Sequence, residues 1–101
     1  MIRITSVVLM LGLIGPADAA HAAGDAAAGQ AKATTCGMCH GPTGGGTQVG
    51  PRIAGMDTAR FVAALHDYKS GKRDNPMMKA QTAQLGDDDM ANLAAYYATL
   101  K

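Results

Sequence analysis

Two stretches of the chain place apolar residues three or four positions apart, the spacing that predicts amphipathic helices. The first helix is predicted to begin at Asp57 or Thr58 and to end at Gly71. The second opens with acidic residues at 87–89, which suit the positive end of a helix dipole. The apolar stripes consist of Phe61, Val62, Leu65 and Tyr68 in the first helix, and of Met90, Leu93, Ala94, Tyr97 and Leu100 in the second.

A third helix is predicted earlier in the chain, where Asp25 caps a run of mostly small residues at 26–33. Residues 41–51 are rich in turn-forming residues and lack periodicity, so they are predicted to form a loop. Beyond residue 22 there is no alternating β-branched run that would indicate a sheet. The predicted fold class is therefore all-α, with three main helices and connecting loops.

The first residues have the three-part pattern of a secretory signal peptide. Arg3 precedes an apolar stretch at 7–14, and small residues then provide cleavage sites after Ala19 and after Ala22. The second site is preferred because a helix entry follows it, which predicts a signal peptide at 1–22 and a domain at 23–101. The apolar stretch is far shorter than the roughly 20 residues that cross a bilayer. We therefore expect export to the periplasm, with no stable membrane span after cleavage.

The composition indicates that side chains alone do not fill the interior. Hydrophobic residues make up 48% of the 101 residues, but aromatic residues make up only 4%, and tryptophan is absent. A small exported domain with so few aromatic residues is marginal on core burial and normally carries disulfides, a metal or a cofactor. The 9 basic and 8 acidic residues nearly cancel, which argues against a polybasic nucleic-acid binder.

The two cysteines and the following histidine form the sequence Cys36-Gly37-Met38-Cys39-His40, which has the spacing of c-type haem attachment. Two intervening residues make one helical turn, so both sulfurs meet one edge of a porphyrin and the imidazole lies over its face. A dithiol redox pair would need a βαβ pattern, which this chain lacks. A structural zinc site normally needs four ligands, and the chain has only two further histidines. One covalently bound haem is therefore the predicted cofactor.

The other face of the haem iron needs its own ligand. Met90 belongs to an apolar stripe and Met56 to a loop, so both are predicted to be packing residues. His66 lies on the polar face of its helix and is predicted to be solvated. Met77 and Met78 follow Asn75-Pro76, where the proline predicts an extended turn that can aim a side chain into a pocket. Either methionine of this pair is a candidate ligand.

Several separated motifs resemble those of class I bacterial cytochromes c, most closely one domain of cytochrome c4 and its small single-haem relatives. Together they cover essentially all of residues 23–101. The motifs are GDAAAGQ at 24–30, CGMCHG at 36–41, GP at 50–51, YKSGKR at 68–73, NPMM at 75–78 and LAAYY at 93–97. The resemblance implies the small cytochrome c fold, in which helices and loops wrap around one covalent haem c.

The resemblance also implies roles for individual residues at the haem. Cys36 and Cys39 would form thioethers, and His40 would be the proximal iron ligand. The carbonyl of Pro51 would accept a hydrogen bond from the other ring nitrogen of His40, which orients the ring. Met78 would be the distal ligand, because the family pattern places this ligand seven residues before a leucine. Met77 is the fallback.

Two further positions are compared with the family. Gly29 would lie where the first and last helices cross, against Leu93 and one of the two tyrosines at 96 and 97. The chain departs from the commoner pattern at Arg52 and in having no second haem motif.

The implied ligands predict a function. Histidine and methionine together keep the iron six-coordinate, and the soft sulfur raises the reduction potential. This favours a periplasmic one-electron carrier over an enzyme, with iron cycling between Fe(II) and Fe(III). The expected donor is a quinol-oxidising complex or a dehydrogenase, and the expected acceptor is an oxidase, a reductase or a photosynthetic reaction centre.

Two alternatives remain open at this stage. A haem protein with a displaceable distal methionine would act as a gas binder, a sensor or a weak peroxidase. An electron-entry subunit of a larger oxidoreductase would carry the same motifs.

Basic residues cluster in the sequence around the methionine pair, whereas acidic residues follow it at 87–89. The basic residues are Lys69, Lys72, Arg73 and Lys79. If this cluster borders the exposed haem edge, it would bind an acidic surface on a partner protein. The alternative is an ordinary solvated helix end, where cations are common.

Overall fold

The computed structural model describes residues 24–101, and this range contains five helices and no strands. The helices are α1 (Ala26–Lys32), α2 (Thr34–His40), α3 (Thr58–Ser70), α4 (Pro76–Thr82) and α5 (Asp87–Ala98). The all-α prediction is confirmed for this part of the chain. The predicted signal peptide at 1–22 lies outside the described residues.

The three helices predicted from the sequence are α1, α3 and α5, and capping residues fix where α1 and α3 begin. The Asp25 carboxylate accepts hydrogen bonds from the backbone N–H groups of Ala27 and Ala28, at 2.9 and 3.3 Å. Asp57 caps α3 in the same way, accepting from the N–H of Arg60 at 3.1 Å. These bonds satisfy donors that a helix start leaves without an intrahelical partner.

The segment after Asn75 differs from the prediction, because Met77 and Met78 lie in the first turn of α4 and not in an extended turn. The restriction that proline imposes acts on the residue before it, and Asn75 is indeed extended. Pro76 itself occupies a position where a missing N–H costs nothing. The Asn75 side chain completes the start of α4 by accepting a hydrogen bond from the Met78 N–H at 3.1 Å.

The core is formed mainly by α3 and α5. The rings of Phe61 and Tyr97 stack with their centroids 5.5 Å apart. Leu100 lies beyond the end of α5 but still packs against the core. The other buried residues of the cluster are Ala33, Leu65, Met90, Leu93 and Ala94. None of the helices within residues 24–101 is both long and apolar enough to cross a bilayer.

α1 crosses α5 at Gly29, where the two backbones come close together. A Cβ atom at Gly29 would lie 1.9 Å from the carbonyl oxygen of Asn92 and 2.9 Å from the Cβ of Tyr96. The Asn92 side chain also accepts a hydrogen bond from the Asp25 N–H at 2.8 Å. Gly29 therefore lies at the crossing of the first and last helices, as expected, with Asn92 rather than Leu93 making the closest contact.

We predict that Gly29→Ala lowers the free energy of unfolding by about 1–3 kcal/mol, the range found for overpacked positions. Alanine is a better helix former than glycine, so helix propensity alone would stabilise α1. A lower free energy of unfolding would therefore be due to the close contact with α5. The measurement is urea unfolding of the haem-loaded protein. Gly45→Ala is the control, because the nearest atom to its Cβ would be 3.8 Å away. Equal stability of the two variants would contradict a close crossing.

Candidate functional site

α2 carries both cysteines and the histidine of the haem-type motif. Cys36 and Cys39 are three residues apart on one helix and lie on neighbouring turns of the same side. Both are free thiols, and His40 is the last residue of α2. Ala33 is the only residue between α1 and α2, and its N–H bonds the Gly29 carbonyl at 2.8 Å. The position of the motif therefore follows from the position of α1.

A cavity of about 560 Å³ lies between α2, the loop at 49–56 and the helices α3 and α4. This volume is typical of a cofactor site. Its wall brings together Cys36, His40, Pro51, Met77 and Met78 from separate parts of the sequence. Cys39 lies beside the wall on α2 and is half-buried.

The His40 ring has a fixed orientation. Its Nδ1 atom lies 2.7 Å from the carbonyl oxygen of Pro51, and the residue is only 8% exposed. A carbonyl only accepts hydrogen bonds, so Nδ1 carries the proton and donates it. In the neutral ring, the other nitrogen, Nε2, is then the one that has a lone pair for a metal.

The loop after His40 closes over the ring through its backbone. Gly50 approaches so closely that a Cβ atom there would lie 2.8 Å from His40 Nδ1. The N–H of Gly46 donates to the His40 carbonyl at 2.8 Å, and the Thr47 hydroxyl donates to the Cys39 carbonyl. These contacts hold Pro51 opposite the ring.

The two adjacent methionines differ in environment. Met78 is half-buried and packs against the core, whereas Met77 is 59% exposed. The backbone around Met78 is held by Asn75, described above, and by the fully buried Thr82, whose hydroxyl donates to the Met78 carbonyl at 2.8 Å. Met78 is therefore the better oriented of the two toward the interior.

Of the remaining ligand candidates, Met56 lines the cavity, whereas Met90 and His66 do not. Met90 is fully buried in the core, and Met56 is half-buried and packs against it. His66 is exposed, does not line the cavity, and its Nε2 lies 3.5 Å from a carboxylate oxygen of Asp87.

Burial affects two groups next to the cavity. It raises the pKa of the Cys36 thiol, although a hydrogen bond with the Tyr97 hydroxyl lowers it in part. Burial also raises the pKa of Tyr97, strongly. Both groups therefore stay protonated at neutral pH, and Cys36 is present as the neutral thiol.

Sequence reasoning did not identify Lys32 and Arg52 as site residues, and it named Arg73 only as one of the basic residues expected to dock partners. Lys32, Arg52 and Arg73 line the cavity, and among the described residues no aspartate or glutamate does. The cavity is mainly apolar and offers thiol, imidazole and thioether groups together with an excess of cations. These features fit a haem, whose ring is apolar and whose edge bears two carboxylates. For Arg52, its position directly after Pro51 was the signal in the sequence.

The four basic residues predicted to dock partners are all exposed. Lys69 is tied to the backbone, since its Nζ donates to the Leu85 carbonyl at 2.5 Å. The Nζ of Lys79 lies close to Gly71, so this side chain reaches the end of α3. The cluster thus assembles around the junction of α3 and α4, next to the cavity. The acidic start of α5 makes contacts elsewhere, including Asp89 with Lys32 at 3.8 Å.

Comparison with known proteins agrees with this geometry. The cytochrome c family model matches residues 26–101. Cytochrome c4 of Pseudomonas aeruginosa is 46% identical over 99 residues, covering 97% of this chain and 48% of that protein. Cytochrome c-554(548) of Halomonas halodenitrificans is 38% identical over 81 residues, covering 76% of this chain and 98% of that protein.

A solved structure of cytochrome c4 from Acidithiobacillus ferrooxidans superposes with a TM-score of 0.72 at 28% identity. The match covers 79% of this chain and 51% of that one. The chain spans about half the length of the cytochrome c4 relatives it matches. The predicted cytochrome c fold is confirmed.

We predict that Gly50→Ala displaces the His40 ring and breaks its hydrogen bond to Pro51, because the new methyl group occupies the space beside Nδ1. The expected cost is about 1–3 kcal/mol of stability, together with loss of the protected Nδ1 proton signal in the NMR spectrum. Gly45→Ala again serves as the control. A retained Nδ1 signal in Gly50→Ala would contradict the close contact.

Proposed function

Because the chain belongs to the cytochrome c family, whose members carry covalently bound haem c, we propose that it is a one-electron carrier and not an enzyme. The observation that carries the proposal is the meeting, in one cavity, of a histidine with a free Nε2 and a half-buried methionine. The bound haem supplies an iron that changes between Fe(II) and Fe(III). The chain's own residues supply its ligands and its surroundings.

In this proposal each site residue has a defined role. Cys36 and Cys39 form thioethers to the haem, and His40 binds the iron through Nε2. Pro51 holds the ring by accepting its Nδ1 proton. Met78 is the distal ligand, and Met77 is the fallback. The imidazole nitrogen and the thioether sulfur would hold the iron in both oxidation states, so little would rearrange when an electron passes.

The proposed place of action is the periplasm. The support is the signal-peptide pattern at 1–22, which leaves a cytochrome c domain at 23–101. Redox proteins are the expected partners: a quinol-oxidising complex or a dehydrogenase as donor, and an oxidase, a reductase or a reaction centre as acceptor. The basic cluster beside the cavity supports docking through an acidic surface of the partner.

We predict that Met78→Ala abolishes the weak far-red absorption band of a sulfur–Fe(III) bond and lowers the reduction potential, because the iron loses its soft ligand. Met77→Ala is the matched control and should leave both unchanged. The measurement is visible spectroscopy of the oxidised protein with potentiometric titration.

Carbon monoxide separates the carrier from the alternatives. The reduced wild-type protein should show no spectral change on adding carbon monoxide, whereas Met78→Ala should bind it. Ready binding by the wild type would favour a gas binder or sensor with a displaceable methionine. Gel filtration of the native periplasmic protein tests for a subunit of a larger oxidoreductase.

A separate prediction concerns the basic cluster. The rate of electron transfer to hexacyanoferrate(III), a small anionic oxidant, should fall as ionic strength rises, because salt screens the local attraction. Lys72→Gln combined with Lys79→Gln should flatten this dependence. The control combines Arg60→Gln with Lys101→Gln, which removes the same amount of charge away from the cluster. This control should leave the dependence on ionic strength unchanged. Equal effects of the two pairs would mean that net charge alone steers the oxidant.

A further inference from the structure

α4 carries the methionine pair but has few attachments to the rest of the described chain. It has seven residues, and Thr82 is the only one of them that is buried. Among the described helices, α4 packs closely only against α3. A short helix with little buried surface opens locally at a lower cost than the core does. The contacts between α4 and α3 therefore determine how firmly Met78 is held at the cavity.

One side-chain hydrogen bond crosses from α3 to the turn that follows α4. Lys69 lies in the last turn of α3, and its Nζ donates to the Leu85 carbonyl at 2.5 Å. Within residues 24–101 it is the only side-chain hydrogen bond that joins α3 to α4 or to residues 83–86. Leu85 lines the cavity and packs against the core. The exposed lysine therefore fixes a residue of the cavity wall.

The connection continues from Leu85 to Met78 through Thr82. The Leu85 N–H donates to the Thr82 carbonyl at 3.0 Å. The Thr82 hydroxyl, which is fully buried, donates to the Met78 carbonyl at 2.8 Å. Three hydrogen bonds in series thus join Lys69 on α3 to the backbone of Met78 on α4.

The first of these bonds is made by a charged donor. A hydrogen bond from an ammonium group is stronger than one between neutral groups. Lys72, which follows α3 directly after Gly71, differs in this respect, because its side chain forms no hydrogen bond or ion pair within the described residues. The end of α3 therefore carries one lysine with such a contact and one without it.

We propose that Lys69 is a positioning residue for Met78: it holds the end of α4 against α3 and so limits how often Met78 leaves the iron. This rests on the proposed function, in which Met78 is the distal ligand. An external ligand binds the iron only while Met78 is away, so Lys69 controls how readily such ligands enter. Lys69 accordingly belongs to the ligand site and not to the docking surface.

The first test is displacement of Met78 by imidazole in the oxidised, mature haem protein, followed by visible absorption. At low imidazole concentration the rate is proportional to the fraction of protein in which Met78 is away. Lys69→Met keeps an unbranched side chain but removes the donor. We expect it to speed displacement by about threefold to tenfold, as for the loss of one net hydrogen bond. Lys72→Met removes the same charge and should keep the wild-type rate.

The second test is native-state hydrogen exchange, which reports local opening without an added ligand. The N–H groups of Lys79 and Ala83 are bonded to carbonyls one turn back along α4, at 2.8 and 3.0 Å. Both should exchange faster in Lys69→Met, whereas the N–H groups of α5 should exchange as in the wild type. Lys69→Arg keeps a charged donor and should bring both readouts back toward the wild-type values.

Three results would overturn the proposal. One is a Lys69→Met protein that exchanges its ligand as slowly as the wild type. Another is equal acceleration by Lys69→Met and Lys72→Met, which would assign the effect to charge alone. The third is faster hydrogen exchange in α5 as well as in α4, which would indicate a general loss of stability. Failure of the proposed function looks different, because the oxidised wild-type protein would then lack the far-red sulfur–iron band before imidazole is added.

Discussion

The backbone contact between α1 and α5 at Gly29 is the constraint from which the site is built. Only Ala33 separates α1 from α2, so the crossing also sets the position of the two cysteines and His40. From its other side α5 packs against α3 through the stacked rings of Phe61 and Tyr97. α3 in turn packs against α4, which carries the methionine pair. The positions of both walls of the cavity therefore depend on α5.

Within that frame the site uses two kinds of polar interaction for different purposes. The hydrogen bond from His40 to Pro51 selects a tautomer and directs a lone pair into the cavity. Two of the three cations on the wall, Arg52 and Arg73, form no ion pair with a carboxylate within residues 24–101. A small domain with few aromatic side chains can accept such a cavity because a large, flat cofactor supplies the missing interior contacts.

The sequence predicted what depends on local chemistry. The caps Asp25 and Asp57 and the stop at Gly71 follow from short-range hydrogen bonding and backbone freedom, and the cysteine spacing follows from one helical turn. The same reasoning misjudged the segment after Asn75, because it extended the restriction before a proline to the residues after it.

Other features depend on tertiary structure. Periodicity alone did not separate Met77 from Met78, since burial of one neighbour and exposure of the other is decided by how α4 packs on α3. The contact of Arg73 with Tyr68 requires the chain reversal at Gly71. The sequence therefore grouped Arg73 with the neighbouring lysines, although Arg73 lines the cavity and those lysines do not.

The loop that closes over His40 has a consequence for how the protein can vary. Its order resides in backbone bonds at both ends, from Gly46 to His40 and from Ile53 and Ala54 to the Gly44 carbonyl, with few side chains involved. Its outer side chains, such as the exposed Val49, are free to change. Its length is not, because one inserted or deleted residue would move the Pro51 carbonyl out of register with the imidazole.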